Sequence, residues 1–121
     1  MQFQELEPRA TIESQLSDTE GQVVLLNIFT MEAQDADGFL AAWSREADFF
    51  KAQPGYISTQ LHKGVGGSTM YVNYAVWESA AAFGAAFHNP TFKETAKAFP
   101  ASVVALPHLV RKIAVPGYCV A

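Results

Sequence analysis

The chain has a single cysteine, Cys119, close to its C-terminus, so no disulfide can close within it. That scarcity fits a reducing compartment. Basic residues are few as well: 8 Lys and Arg stand against 12 Asp and Glu, and the net charge is −4. With no Lys/Arg cluster, the electrostatic footprint of a nucleic-acid binder is missing. No apolar run reaches the roughly 18 residues that read as a membrane-spanning helix. Met1-Gln2-Phe3-Gln4-Glu5 carries neither the basic nor the apolar segment of a secretory leader, so a cytoplasmic location is expected. His62, His88 and His108 lie on different predicted elements without a His-x-x-x-His spacing, and no metal site is expected. Gly64-Val65-Gly66-Gly67 joins two predicted strands rather than a strand and a helix, so it is not a phosphate loop. No nucleophile motif surrounds any serine or Cys119. Repeats and low-complexity tracts are absent too.

What is present is apolar. Half of the 121 residues are hydrophobic, enough for one domain with a core. Residues 1–21 are polar and without clear period, and read as an arm. Val23 to Met31 is almost continuously apolar and reads as a strand buried on both faces, with Asn27 its only amide. Asp35 or Asp37 is placed to cap a helix running to about Gln53. Phe39, Trp43, Ala47 and Phe50 form its inner stripe, and Arg45, Glu46, Asp48 and Lys51 read as solvated. Pro54-Gly55 stops it. Tyr56 to Lys63 and Met70 to Trp77 form a hairpin. Ser79 caps an Ala-rich helix, and His88-Asn89-Pro90 starts another that carries Phe92, Ala96 and Phe99 and ends at Pro100. Residues 101–106 read as a connection, and His108 to Val115 as the last strand, closed by Pro116-Gly117. The domain therefore spans 22–116, followed by a tail at 117–121.

The order β-α-β-β-α-β is the ferredoxin-like α+β arrangement. Its helices cover one sheet face. The other face is apolar here as well, with Val24, Leu26 and Ile28 on the first strand and Val72, Tyr74 and Val76 on the third. Such a patch calls for a cover, so a homodimer with sheets stacked face to face is expected.

Side chains alternate along a strand, so Tyr71, Asn73, Ala75 and Trp77 share the face turned to the helices. A carboxamide beside an indole in what should be core is the chemically distinctive pair. Both can donate hydrogen bonds to an oxyanion, and Asn27 adds a third amide if its strand face points the same way. Phe29, Phe39, Trp43, Phe83, Phe87, Phe92 and Phe99 offer walls for a flat ligand. The plainer reading stands beside this one: Trp77 over a helix start also reads as core, and a buried Asn73 needs partners in any protein. A histidine is open as a general base.

Pro54-Gly55-Tyr56-Ile57-Ser58, the run Val72-Asn73-Tyr74-Ala75-Val76-Trp77-Glu78-Ser79, the Asn-Pro helix and the closing strand together resemble the antibiotic biosynthesis monooxygenases, above all those that act on aromatic polyketides. The resemblance runs from about Val23 to Val115. It implies a dimeric α+β barrel that oxidises a small hydroxyaromatic or quinol with O2, using no metal, flavin or haem. It also implies that Asn73 and Trp77 line the pocket as catalytic residues; the strand faces and aromatic stripes add Asn27, Phe29, Trp43, Phe83, Phe87 and Phe92 as the expected substrate-binding residues. A pocket Tyr of those enzymes falls on Phe83 here and an Arg falls near Ala96. In a haem-degrading branch of the superfamily the Trp and His fall near Ala86 and Ala96, which argues against that activity. A non-catalytic ligand-binding dimer and an isomerase of a small carbonyl compound are the other readings the scaffold allows.

Overall fold

The computed structural model describes residues 1–121. In chain order the elements are β1 (Gln2–Phe3), α1 (Ile12–Gln15), β2 (Val23–Thr30), α2 (Ala36–Lys51), β3 (Tyr56–Lys63), β4 (Tyr71–Trp77), α3 (Ala80–Phe87), α4 (Pro90–Ala96) and β5 (Val104–Val110). The strands form one 5-stranded sheet in the order β1-β5-β2-β4-β3. Leaving β1 aside, this is the ferredoxin-like β-α-β-β-α-β topology expected from the sequence. β1 joins the edge parallel to β5; the other pairs are antiparallel.

Local chemistry explains the helix limits. Ser79 Oγ accepts from the Ala82 N–H at 3.0 Å and Asn89 Oδ1 from the Thr91 N–H at 2.9 Å, so both predicted caps form. At the end of α2 the chain turns through Gly55 with φ +88°, and a Cβ there would come 2.4 Å from Ala82 Cβ. Glycine is needed for the left-handed turn and for the close approach to α3. The start of α2 differs from expectation. A 3₁₀ turn at Ala33–Asp35 leads into it, and the Asp35 carboxylate makes no cap bond. It accepts instead from the Ser102 hydroxyl at 2.6 Å.

Other expectations need correction. Residues 1–21 are not a featureless arm. The Gln2 N–H donates to Val103 O and the Gln4 N–H to Ala105 O, both at 2.9 Å, while Ile12 is buried. Gln15 brackets the β5 edge, accepting from the Leu109 N–H at 2.9 Å and donating to Leu109 O at 3.0 Å. The last strand runs from Val104 to Val110 rather than from His108 to Val115. Pro107 is tolerated within it because β1 ends at Phe3, opposite Ala105, and leaves Pro107 no strand neighbour on that side. α4 stops at Ala96, before Phe99.

The sheet separates two faces as the alternation requires. Val23, Leu25, Asn27 and Phe29 of β2 lie beside Trp77, Ala75, Asn73 and Tyr71 of β4, under the helices. On the opposite face Leu26, Ile28, Val72, Tyr74 and Val76 are half-buried. The core beneath the helices falls into two apolar clusters. One is built around Trp77, Leu25, Ala75 and Phe83, the other around Phe29, Phe39, Tyr71 and Phe99.

Candidate functional site

Between the two apolar clusters runs a polar seam. Along β2 the row reads Leu25, Asn27, Phe29, and along β4 it reads Ala75, Asn73, Tyr71, with Asn27 directly opposite Asn73. Each asparagine thus stands between a residue of one cluster and a residue of the other. From above, α2 contributes Glu46, one turn beyond Ala42, a residue only 7% exposed. Buried polar groups in a core are costly unless partnered, and here the partnering is incomplete. Asn27 Oδ1, Glu46 Oε2 and the Trp77 indole N–H are all buried without a hydrogen-bond partner. Asn73 is the exception. The Thr59 hydroxyl of β3 donates to its Oδ1, which leaves the amide nitrogen as the free donor.

Two adjoining clefts open along this seam. The first is walled by Trp43, Glu46, Ala47, Phe50, Tyr56 and Trp77 among others, with a cavity volume of about 20 Å³. The second, also of about 20 Å³, is walled by Asn27, Phe29, Phe83, Phe87, Phe92 and Pro107, with Met1 and Phe3 also in its wall. Leu25, Glu46, Phe50 and Asn73 belong to both. In this closed arrangement the clefts are narrow, so an aromatic ring enters only if side chains such as the half-buried Phe50 and Phe87 turn aside.

The indole of Trp77 is 1% exposed and held by aromatic edges. Tyr56 meets it at 5.6 Å between ring centres and 88° between planes, Phe50 at 5.8 Å and 88°, and Phe83 at 5.7 Å and 68°. Edge-to-face contacts fix the ring without satisfying its N–H. At the far end Phe3 of β1 leans on Phe87 at 6.3 Å and on Phe92 at 6.2 Å. The terminal segment therefore forms part of the cleft wall.

The residues singled out from the sequence gather along this seam. Trp43, Asn73 and Trp77 line the first cleft, and Asn27, Phe29, Asn73, Phe83, Phe87 and Phe92 line the second. Phe29 is also a pillar of the core, 1% exposed and 4.9 Å from the Phe39 ring. No histidine lines either cleft. His62 is exposed on β3, the His88 ring bonds Glu13 at 2.8 Å, and His108 points its Nε2 at Gln15, 3.3 Å away. No cluster of His, Cys, Asp and Glu has the makings of a metal site.

A family model described as antibiotic biosynthesis monooxygenase matches residues 22–98. The chain belongs to that family. Deoxynogalonate monooxygenase of Streptomyces nogalater is 35% identical over 80 residues, which is 66% of this chain and 67% of that protein. Among solved structures, SnoaB, a cofactor-independent oxygenase of Streptomyces nogalater, superimposes with a TM-score of 0.72 at 29% identity, over 80% of this chain and 98% of that one. A proposed monooxygenase of Shewanella loihica PV-4 gives 0.66 at 31% identity, over 81% and 100%. The family and its ferredoxin-like α+β fold are thus as the sequence indicated.

Glu46 was misjudged from the sequence. Arg45, Asp48 and Lys51 are exposed as expected, and Lys51 pairs with Asp48 at 2.9 Å in water. Glu46 instead follows Phe39 and Ala42 into the interior as the remaining buried residue of α2. Its spacing carried the signal: position 46 lies three residues after Trp43 and four before Phe50, within the apolar stripe. Burial pushes its pKa from 4.5 to about 8.

Proposed function

We propose that this protein is a cofactor-independent monooxygenase that oxidises a small hydroxyaromatic or quinol-type compound with O2, as a cytoplasmic homodimer. The observation that carries this reading is the polar seam. Unsatisfied groups line two adjoining clefts with largely aromatic walls: the Trp77 indole lines the first, the Asn27 amide the second, and the Glu46 carboxyl both. An apolar filling would stabilise the fold better, so the seam is the kind of compromise expected where chemistry is done.

The chemistry follows from the donors. A hydroxyaromatic that loses its proton becomes electron-rich enough to pass electrons to O2 directly. Its oxyanion is tolerable in a dry cleft only where fixed N–H groups meet it. The Trp77 indole N–H and the Asn73 amide, held on one face of β4, supply them. Asn27 Oδ1 accepts from a second substrate hydroxyl, and the phenyl rings orient the flat substrate. For a phenol taken to a quinone, one oxygen atom ends in the product as a carbonyl and the other leaves as water. All the electrons O2 takes up come from the substrate, so the sum requires no external reductant. The relatives support this reading: SnoaB is itself described as cofactor-independent, and the deoxynogalonate enzyme as a monooxygenase.

The deciding assay offers the purified protein an anthrone or a dihydroxynaphthalene under isotopically labelled O2. One labelled oxygen in the quinone product for each O2 consumed is expected, in protein stripped of metal and flavin. A fluorescence change on adding the aromatic with no O2 uptake would leave a binder instead.

The dimer rests on the uncovered face of Leu26, Ile28, Val72, Tyr74 and Val76, which carries no helix. Val72→Lys puts an unpaired charge there and is expected to give monomer or aggregate on gel filtration. A stable monomer of the unmodified protein at micromolar concentration contradicts the homodimer.

A further inference from the structure

We infer that Glu46 is the proton acceptor of this oxidation: its carboxylate takes the substrate's hydroxyl proton at Oε2 and later returns it to the oxygen that leaves as water. The inference rests on the monooxygenase reading above and adds to it the base that none of the histidines supplies.

Three observations place Glu46 in that role. It lines both clefts, as Asn73 does, so carboxyl and amide face the same space at the junction of the two. Its Oε2 is buried and unpartnered, with both lone pairs available to a ligand. And no Lys, Arg or His lines either cleft, so the carboxyl is not half of a structural ion pair. The other titratable residues in those walls are Tyr56 on β3 and Met1, which bears the α-amino group. On α4, which packs against α2, Lys93, Glu94 and Lys97 are all exposed.

The basicity suits the task. A phenol of pKa about 10 gives its proton to an ordinary glutamate, pKa about 4.3, with an equilibrium unfavourable by roughly 10⁶. Against a carboxyl raised to about 8 the deficit shrinks to roughly 10², and the donors on β4 cover the rest by holding the oxyanion. In the transfer the substrate O–H bond breaks, its electron pair stays on the aromatic oxygen, and a new O–H bond forms at Glu46. Nothing is oxidised in this step. Electrons pass to O2 only afterwards; when the O–O bond breaks, the oxygenated carbon loses its C–H proton, that electron pair closes the new carbonyl, and the departing oxygen leaves as water with this proton and the one returned by the carboxylic acid.

The test compares the intact protein with Glu46→Gln and Glu46→Asp, using O2 uptake across pH on an anthrone, whose anthrol tautomer carries the hydroxyl. Glu46→Gln is expected to lose about 10²–10⁴ in kcat with little change in KM. It should recover at a pH high enough for the anthrone to arrive already ionised. Glu46→Asp should keep part of the rate. A Gln variant with wild-type kcat and an unchanged pH profile overturns the assignment while leaving the monooxygenase reading intact. An unmodified protein that consumes no O2 removes both. A readout free of turnover is the infrared carbonyl band of a protonated carboxyl, present in the wild type, absent from Glu46→Gln, and titrating near pH 8. A midpoint in the ordinary glutamate range would show a solvated side chain and likewise overturn the role.

Discussion

Replacing the Trp77 indole with phenyl is expected to lower turnover on an anthrone by about 10²–10³ while the protein stays folded, and Asn73→Leu is expected to do the same. The magnitude is that of one oxyanion donor removed from a closed site. Trp77→Phe keeps the ring's contacts with Phe50, Tyr56 and Phe83 in large part and takes away the N–H. That N–H bonds nothing in the protein, so its loss strands no partner. The stability cost is the volume difference alone, on the order of 2 kcal/mol. Asn73→Leu keeps the size but deprives the Thr59 hydroxyl of its acceptor, so a modest loss of stability is expected there too. The two roles separate in the kinetics. Donors engaged as charge develops lower kcat and leave KM nearly unchanged, whereas packing residues change stability and leave turnover alone. Full activity in both variants would remove this pair from the active centre even with the fold and family as they are.

Much of this arrangement was legible before any coordinates. Strand alternation put Asn73 and Trp77 on one face, and the Ser79 and Asn89 caps and the Pro54-Gly55 stop fixed the helices around them, because these are local signals. The failures have physical causes as well. A two-residue strand such as β1 has no period to detect, and its pairing with β5 spans a hundred residues of sequence. Pro107 disguised the start of β5, since proline is excluded from a strand only where its N–H would have to bond an adjacent strand, and β1 ends short of it. Glu46 was assigned to water because charged residues are seldom buried unpaired. That rule describes stability, and sites of chemistry depart from it.

The same carboxyl gives the protein a pH dependence that needs no substrate to measure. Glu46 ionises near 4.5 in the unfolded chain and near 8 in the folded one. Below pH 4.5 it is protonated in both states and burial carries no charge penalty. Between 4.5 and about 8 the unfolded state releases the proton and the folded state keeps it, so stability falls as pH rises, and above about 8 the loss is complete. At 1.36 kcal/mol per pKa unit the whole effect is roughly 5 kcal/mol. Glutamine at position 46 cannot ionise. Urea unfolding of Glu46→Gln should therefore match the wild type near pH 4 and exceed it by roughly that amount at pH 8.5, a Tm difference on the order of 15 °C. Taking the difference between the two proteins cancels every titration they share. The Asp18–Arg111 pair, for one, holds the Asp18 carboxyl below 3.8 and acts in the opposite sense, losing its contribution as pH falls through that lower range. A difference curve flat from pH 4 to 8.5 would mean that Glu46 reaches water. A rising one would show a fold that keeps a destabilising group at the centre of its cleft, where a glutamine of nearly the same shape would make it more stable.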